Sequence, residues 1–208
     1  MRKTKVIFSV LAALCLMAFS ASAANAAGIG GGPAFSGSNA GLGAHTFTTA
    51  GGGLTVSCAT VTNSGTTNPS PVDVHGHRRS ANFNIAFSSC TLRVAGLTFP
   101  ATVTTNCAWT ATINTFNTAT GASTGNITTN CTTTITVSGS TCTVTVGNVT
   151  VVVTGQNDPP PPATPTSIVI SVNASGIPVT TSGCPGVPAS TTATYVGRKR
   201  ENGIWAID

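Results

Sequence analysis

From Asn82 to Ser88 the chain alternates strictly, with Phe83, Ile85 and Phe87 on one side of an extended backbone and Asn82, Asn84 and Ala86 on the other. A period of two residues marks a half-buried strand. The same alternation returns in Leu92 and Val94, in Trp109, Ala111 and Ile113, in Ile135 and Val137, in Val144 and Val146, and in Ile168, Ile170 and Val172. Threonine and valine fill most of these runs; both are stiff at χ1 and fit a pleated surface. Beyond Ala26 no stretch carries a helical period. Many short alternating runs punctuated by Gly, Asn, Ser and Pro predict an all-β domain, an antiparallel β-sandwich or barrel-like domain.

The connections are legible in the same way. His45 to Thr49 and Leu54 to Thr62 read as a hairpin around Ala50 to Gly53, with Leu54, Val56 and Cys58 sharing a face. The Gly- and Ser-rich residues 27–43 read as a flexible segment ahead of a single β domain over residues 44–208. Residues 156–166, containing Pro159 to Pro162, read as a stiff polyproline loop inside that domain. A domain linker is the weaker reading, because the piece that follows is too short to fold alone. Thr194 to Val196 and Ile204 to Ile207 read as a terminal hairpin whose charged tip spans residues 197–203.

One run breaks the alternation. Val6 to Phe19 is apolar throughout, follows Arg2, Lys3 and Lys5, and precedes small residues that offer cleavage after Ala23 or Ala26, so residues 1–26 read as a secretory signal peptide. The run is too short for a comfortable membrane span. Leu14 stands where a lipid-anchored Cys15 would need a small residue, so Cys15 is expected to leave with the leader. Removal leaves 182 residues, enough for one domain with a real core, and no transmembrane segment follows. The expected location is secreted or extracellular, including surface association.

Processing also changes the charge argument. The formal charge of the whole chain is +5, and without the leader six basic residues face four acidic ones, a net charge of +2. No basic stripe remains, so nucleic acid is not an expected partner. Six cysteines follow the leader, at 58, 90, 107, 131, 142 and 184, an even number that in an exported chain predicts three disulfides. Spacing leaves the pairing open. Cys131–Cys142, around the turn Ser138-Gly139-Ser140, is the favoured local pair, followed by Cys58–Cys90 and Cys107–Cys184. The absence of any C-x-x-C spacing argues against a thiolate metal cluster and against dithiol redox catalysis.

Four short motifs carry a resemblance: Thr55-Val-Ser-Cys58, Ser89-Cys-Thr91, Asn106-Cys-Ala-Trp109 and Cys142-Thr-Val-Thr-Val146. Together they resemble a group of small exported bacterial proteins of unknown function, over most of the mature chain. The resemblance implies a β-rich disulfide domain and brings no activity or functional residues with it.

Candidate chemistry is sparse. Gly121-Ala-Ser-Thr-Gly125 fits the G-x-S-x-G pattern, but a nucleophile elbow needs a helix after it and a histidine downstream. All three histidines lie upstream of Ser123, so the segment reads as a plain turn. Asp73, His75 and His77 share a face in an extended segment and could converge on zinc or copper, with His45 as a fourth ligand if folding brings it near. The competing reading is a polar loop, favoured by Gly76, the nearby prolines and the adjacent Arg78 and Arg79. Four acidic residues are too few and too scattered for a two-carboxylate glycosidase.

Surface binding is the remaining class. Trp109, on an alternating strand beside Cys107, reads as a core residue, whereas Trp205 is as well placed for a binding face as for burial. Arg198, Lys199 and Arg200, like Arg78 and Arg79, read as solvated cationic tips able to touch anionic polymers. Threonine rows suit a solvated sheet face, and no fixed repeat supports a crystalline-surface array. The runs also lack the aromatic girdles of an outer-membrane barrel. The expected function is a noncatalytic secreted or surface-associated β domain, binding or structural, with a cell-envelope polymer or another surface protein as partner and no cofactor. The alternative is a metal-dependent module or enzyme centred on Asp73, His75 and His77.

Overall fold

The computed structural model describes residues 27–208; the leader read over residues 1–26, with Cys15, lies outside the described residues. Nine strands account for most of the described residues: β1 (Gly28–Ser38), β2 (His45–Thr49), β3 (Thr55–Thr67), β4 (Ser80–Val94), β5 (Leu97–Phe116), β6 (Ala122–Val137), β7 (Ser140–Asp158), β8 (Ser167–Ser182) and β9 (Ser190–Ile207). All pairings are antiparallel and belong to one sheet. From β3 to β9 each strand pairs with the next. The short strands β1 and β2 share the remaining lane: β2 bridges Thr55–Cys58 to residues 193–196, and β1 bridges residues 62–66 to residues 200–207. The hydrogen-bonding circuit therefore closes on itself. The protein is all-β, antiparallel and crosslinked by three disulfides.

Closure gives the sheet an inside. Along β5 and β6 the odd-numbered residues point inwards, among them Val103, Ile113, Ile127 and Ile135, while Thr104, Asn106 and Thr132 face out. The outer face is laced by hydroxyl contacts such as Thr128 to Thr150 (2.8 Å) and Thr110 to Asn82 (2.9 Å). An apolar inside with a polar outside is the reverse of a membrane barrel.

Most strands outrun a single alternating pattern because an extra residue resets the parity partway along. In β3 the buried positions pass from Val56 and Cys58 to Val61 and Asn63, and in β8 from Val172 and Ala174 to Ile177 and Val179, with Gly176 at φ +68°. The register shifts between Thr129 and Cys131 opposite β7 do the same there. Such bulges bend and twist a strand without exposing its apolar side. Two hairpins are tight: Ala95-Gly96 and Ser138-Gly139 have positive φ at both positions and join directly paired residues, Val94 to Leu97 and Val137 to Ser140.

Several expectations about the termini and loops are corrected. Residues 28–38 are not a flexible lead but strand β1, locked between β3 and β9. Their glycines are needed for space: a Cβ on Gly30 would lie 2.6 Å from the Trp205 indole, and one on Gly37 would run into the Glu201 carboxylate and Asn63. No hairpin turns at residues 197–203, because β9 runs unbroken through them. The proline loop is shorter than expected, since Gln156–Asp158 belong to β7.

The three bridges are Cys58–Cys90, Cys107–Cys131 and Cys142–Cys184. Cys58 faces Cys90 and Cys107 faces Cys131 directly across their ladders. The expected Cys131–Cys142 and Cys107–Cys184 pairs are absent because of register. With the turn at Ser138-Gly139, Cys142 lies opposite Ile135 and Cys131 opposite Val146. Four residues of strand then separate Cys131 from Cys142, roughly 13 Å, beyond the reach of a disulfide.

Candidate functional site

The sequence-predicted metal ligands lie in the β3–β4 connection. Asp73 is buried, His77 half-buried and His75 exposed, and their ligand atoms lie within 4.8 Å of one another. The local backbone accounts for this convergence. Asp73 Oδ1 accepts the backbone N–H groups of His75 (2.9 Å) and His77 (2.7 Å), and the His77 Nδ1 lies 3.0 Å from Oδ2. Burial pushes the Asp73 carboxyl up, but the donors from His77 and His75 outweigh it and the net direction is down. An ionised carboxylate beside two imidazoles has the right chemistry for a divalent transition metal. His45 is not near this cluster: it sits on β2, bonded to β9.

The presumed cationic tip is divided by the pleat of β9. Arg198 faces solvent, and Arg200 reaches out to Asp158 (2.5 Å) with both partners about 40% exposed. Lys199 points into the closed sheet and is 4% exposed, as Glu201 is at 1%. The expectation of a solvated Lys199 is therefore corrected by strand parity: Tyr195, Gly197, Lys199 and Glu201 share the inner face. Trp205 is half-buried over Gly30, and Trp109 is half-buried and stacks on Phe83 (6.0 Å between centroids).

These inward side chains meet an apolar chamber of about 120 Å³. Its wall is mostly aliphatic, including Val103, Ile127, Ile135, Val144 and Val149, together with Cys58 and Cys131. A second chamber of about 70 Å³ lies beyond, lined by Phe35, Phe83, Ile113 and Ile204, and Lys199 borders both. The Lys199 ammonium lies 2.7 Å from Glu201 Oε1 and 4.2 Å from the centroid of the Phe83 ring. Glu201 Oε2 in turn accepts from Asn63 Nδ2 (2.8 Å). Burial pushes the Lys199 ammonium down, and the Glu201 carboxylate opposes that shift.

The polar accounting of the chamber does not close. Lys199 Nζ meets Glu201 Oε1 at 2.7 Å, which takes one of the three donors of the ammonium, and no other acceptor among the described residues reaches it. Trp109 Nε1 and Thr129 Oγ1, on directly opposite residues of β5 and β6, are buried without partners, and both residues line the same chamber. Buried polar atoms are nearly always satisfied, so two orphans beside a lysine with donors to spare are unusual.

The far end of the chamber is, by contrast, fully bonded. His45 Nε2–H donates to the Arg198 carbonyl (3.0 Å), and its Nδ1 accepts from the Tyr195 hydroxyl (2.5 Å), an assignment fixed by the carbonyl being acceptor-only. A Cβ on Gly197 would overlap this imidazole, so glycine there lets it lie flat on β9. Burial pushes His45 down and the Tyr195 phenol up, keeping both neutral. Sequence reasoning missed Lys199, Glu201, Tyr195 and Thr129 as interior groups. Compared with protein-family models, with curated proteins and with solved structures, the chain matches none.

Proposed function

We propose that this protein is an exported, noncatalytic β domain that binds a small apolar molecule inside its closed sheet. The observation that carries this reading is the chamber itself. It is walled by aliphatic side chains and comparable in size to cavities of about 150 Å³ that stay dry and hold benzene. Export is supported by the leader pattern and by three disulfides, which persist in oxidising compartments. An envelope polymer is the weaker partner, because its cationic handle at residues 198–200 loses Lys199 to the interior and Arg200 to Asp158.

Thermal unfolding of the oxidised protein with and without benzene tests the reading. A saturable rise in Tm is expected, following ligand linkage. Ala174→Leu, at a buried position on the chamber wall, should abolish the rise while the protein stays folded. No rise in the unmodified protein would end the proposal.

A second reading is favoured by the convergence of Asp73, His75 and His77. In it the β3–β4 connection holds a transition metal by three side chains and leaves one position open. Zinc titration followed by calorimetry should show one site that His75→Ala with His77→Ala removes; no heat in the unmodified protein would exclude it.

A further inference from the structure

We infer that the chamber selects an uncharged molecule with a carbonyl oxygen, held by Lys199, Trp109 and Thr129 while its hydrocarbon part fills the aliphatic wall. This rests on the interior being a binding chamber and names the class of ligand it takes. Two orphaned atoms and the spare donors of Lys199 set the polar chemistry. An ammonium and an indole N–H can only donate, and a threonine hydroxyl can donate as well. One carbonyl oxygen brought in by the ligand accepts from two of these groups, and the threonine hydroxyl, which can accept as well as donate, links the third.

Their placement supports a single occupant. Trp109 and Thr129 are cross-strand neighbours on β5 and β6, and Lys199 comes from β9, so closure of the sheet turns groups far apart in sequence towards one space. The rest of the wall offers hydrocarbon only. Its size matches a ring of about six heavy atoms. Charge decides against an anion: Glu201 already neutralises Lys199 at 2.7 Å, and a carboxylate would add a second buried negative charge without a counterion. A neutral carbonyl adds none.

Cyclohexanone, methylenecyclohexane and cyclohexanecarboxylate make the test, since the first two share a shape and differ in one oxygen. Dissociation constants are measured by NMR titration of the oxidised protein, for the wild type and for Lys199→Met with Glu201→Gln, which removes both charges together. The ratio of ketone to alkene affinity is expected to fall at least about tenfold in the double variant, the usual worth of a hydrogen bond to a charged group. Thr129→Val, nearly the same shape, should lower that ratio about threefold or more and serves if the double variant fails to fold. The wild type should bind the carboxylate more weakly than the ketone.

An unchanged ratio in these variants would overturn the inference, leaving the orphaned atoms to buried water. So would tightest binding of the carboxylate. If alkene binds and only the ratio fails, the chamber reading stands alone; if neither neutral probe binds the wild type, both fall.

Discussion

Replacing Lys199 by Met should be among the most damaging single changes in the chain, although it only removes a charge and keeps a long side chain. Glu201, 1% exposed, would keep Asn63 Nδ2 as its one donor and lose its counterion. Breaking a buried pair from one side costs about 3–5 kcal/mol, because the surviving charge stays in a medium that solvates it poorly. Glu201→Gln should cost a similar amount, since the ammonium would then keep only a neutral amide and the Phe83 ring in place of its counterion. The double variant should recover to within about 1 kcal/mol of wild type, because it leaves no buried charge. Arg200→Met supplies an internal control from the next residue: its pair with Asp158 is about 40% exposed on each side and should be worth no more than ~1 kcal/mol. Equilibrium urea unfolding of the oxidised protein at pH 7 measures all four. With m near 1–3 kcal/mol/M, the single interior variants should lower the midpoint by about 1 M or more. The reasoning is refuted if Lys199→Met and Arg200→Met cost the same, or if the two interior losses simply add in the double variant.

Four further outcomes rest on the same geometry. Because burial holds His45 below its unfolded pKa of 6.5, the unfolded chain binds its proton first, so stability is complete above that value and declines as pH falls through it towards the folded pKa. The slope should approach at most ~1.4 kcal/mol per pH unit, and urea midpoints at pH 7.5 and 5.5 should converge in His45→Gln if this histidine is responsible. Gly37→Ala should destabilise by about 2 kcal/mol or more, since its Cβ would collide with Glu201 and Asn63; an unchanged Tm would mean that β1 is not seated as described. Mass mapping of non-reduced peptides should recover Cys58–Cys90, Cys107–Cys131 and Cys142–Cys184, and a Cys131–Cys142 peptide would contradict the β6–β7 register. Cys142→Ala with Cys184→Ala, which opens a separation of 42 residues, should cost up to about 4 kcal/mol in the chain-entropy model.

Fold class was readable because it is a local property: Phe83, Ile85 and Phe87 alternate within seven residues, and that alone places them on one face of a strand. Strand β1 was not readable. Its glycines carry no β-propensity, and the reason for them lies in Trp205 and Glu201, which reach Gly30 and Gly37 from the other end of the chain. The Cys131–Cys142 pairing is excluded by strand geometry once the turn is placed. Cys131 and Cys142 stand six and two residues from the strand ends at Val137 and Ser140, so no tight turn there can bring them face to face.

The interior site shows how far parity could have gone. Continuing the alternation from Tyr195 through Gly197 would have placed Lys199 and Glu201 on one face and Arg198, Arg200 and Asn202 on the other, as β9 does. The density of charge in Arg198-Lys-Arg-Glu201 favours a solvated turn, and here composition and period point in opposite directions. What parity alone cannot supply is which face is inside, since an isolated strand with charges on both faces offers no choice. That choice is made by closure: once β9 pairs with β8 on one side and with β1 and β2 on the other, the face carrying Ala193, Tyr195 and Ala206 must join the core, and Lys199 goes with it. The lysine then brings Glu201 as its counterion, Asn63 to hold that carboxylate, and Gly37 to make room for both. A polar group of such cost, set in a wall of valine and isoleucine beside two unanswered polar atoms, is what the proposed carbonyl ligand would complete.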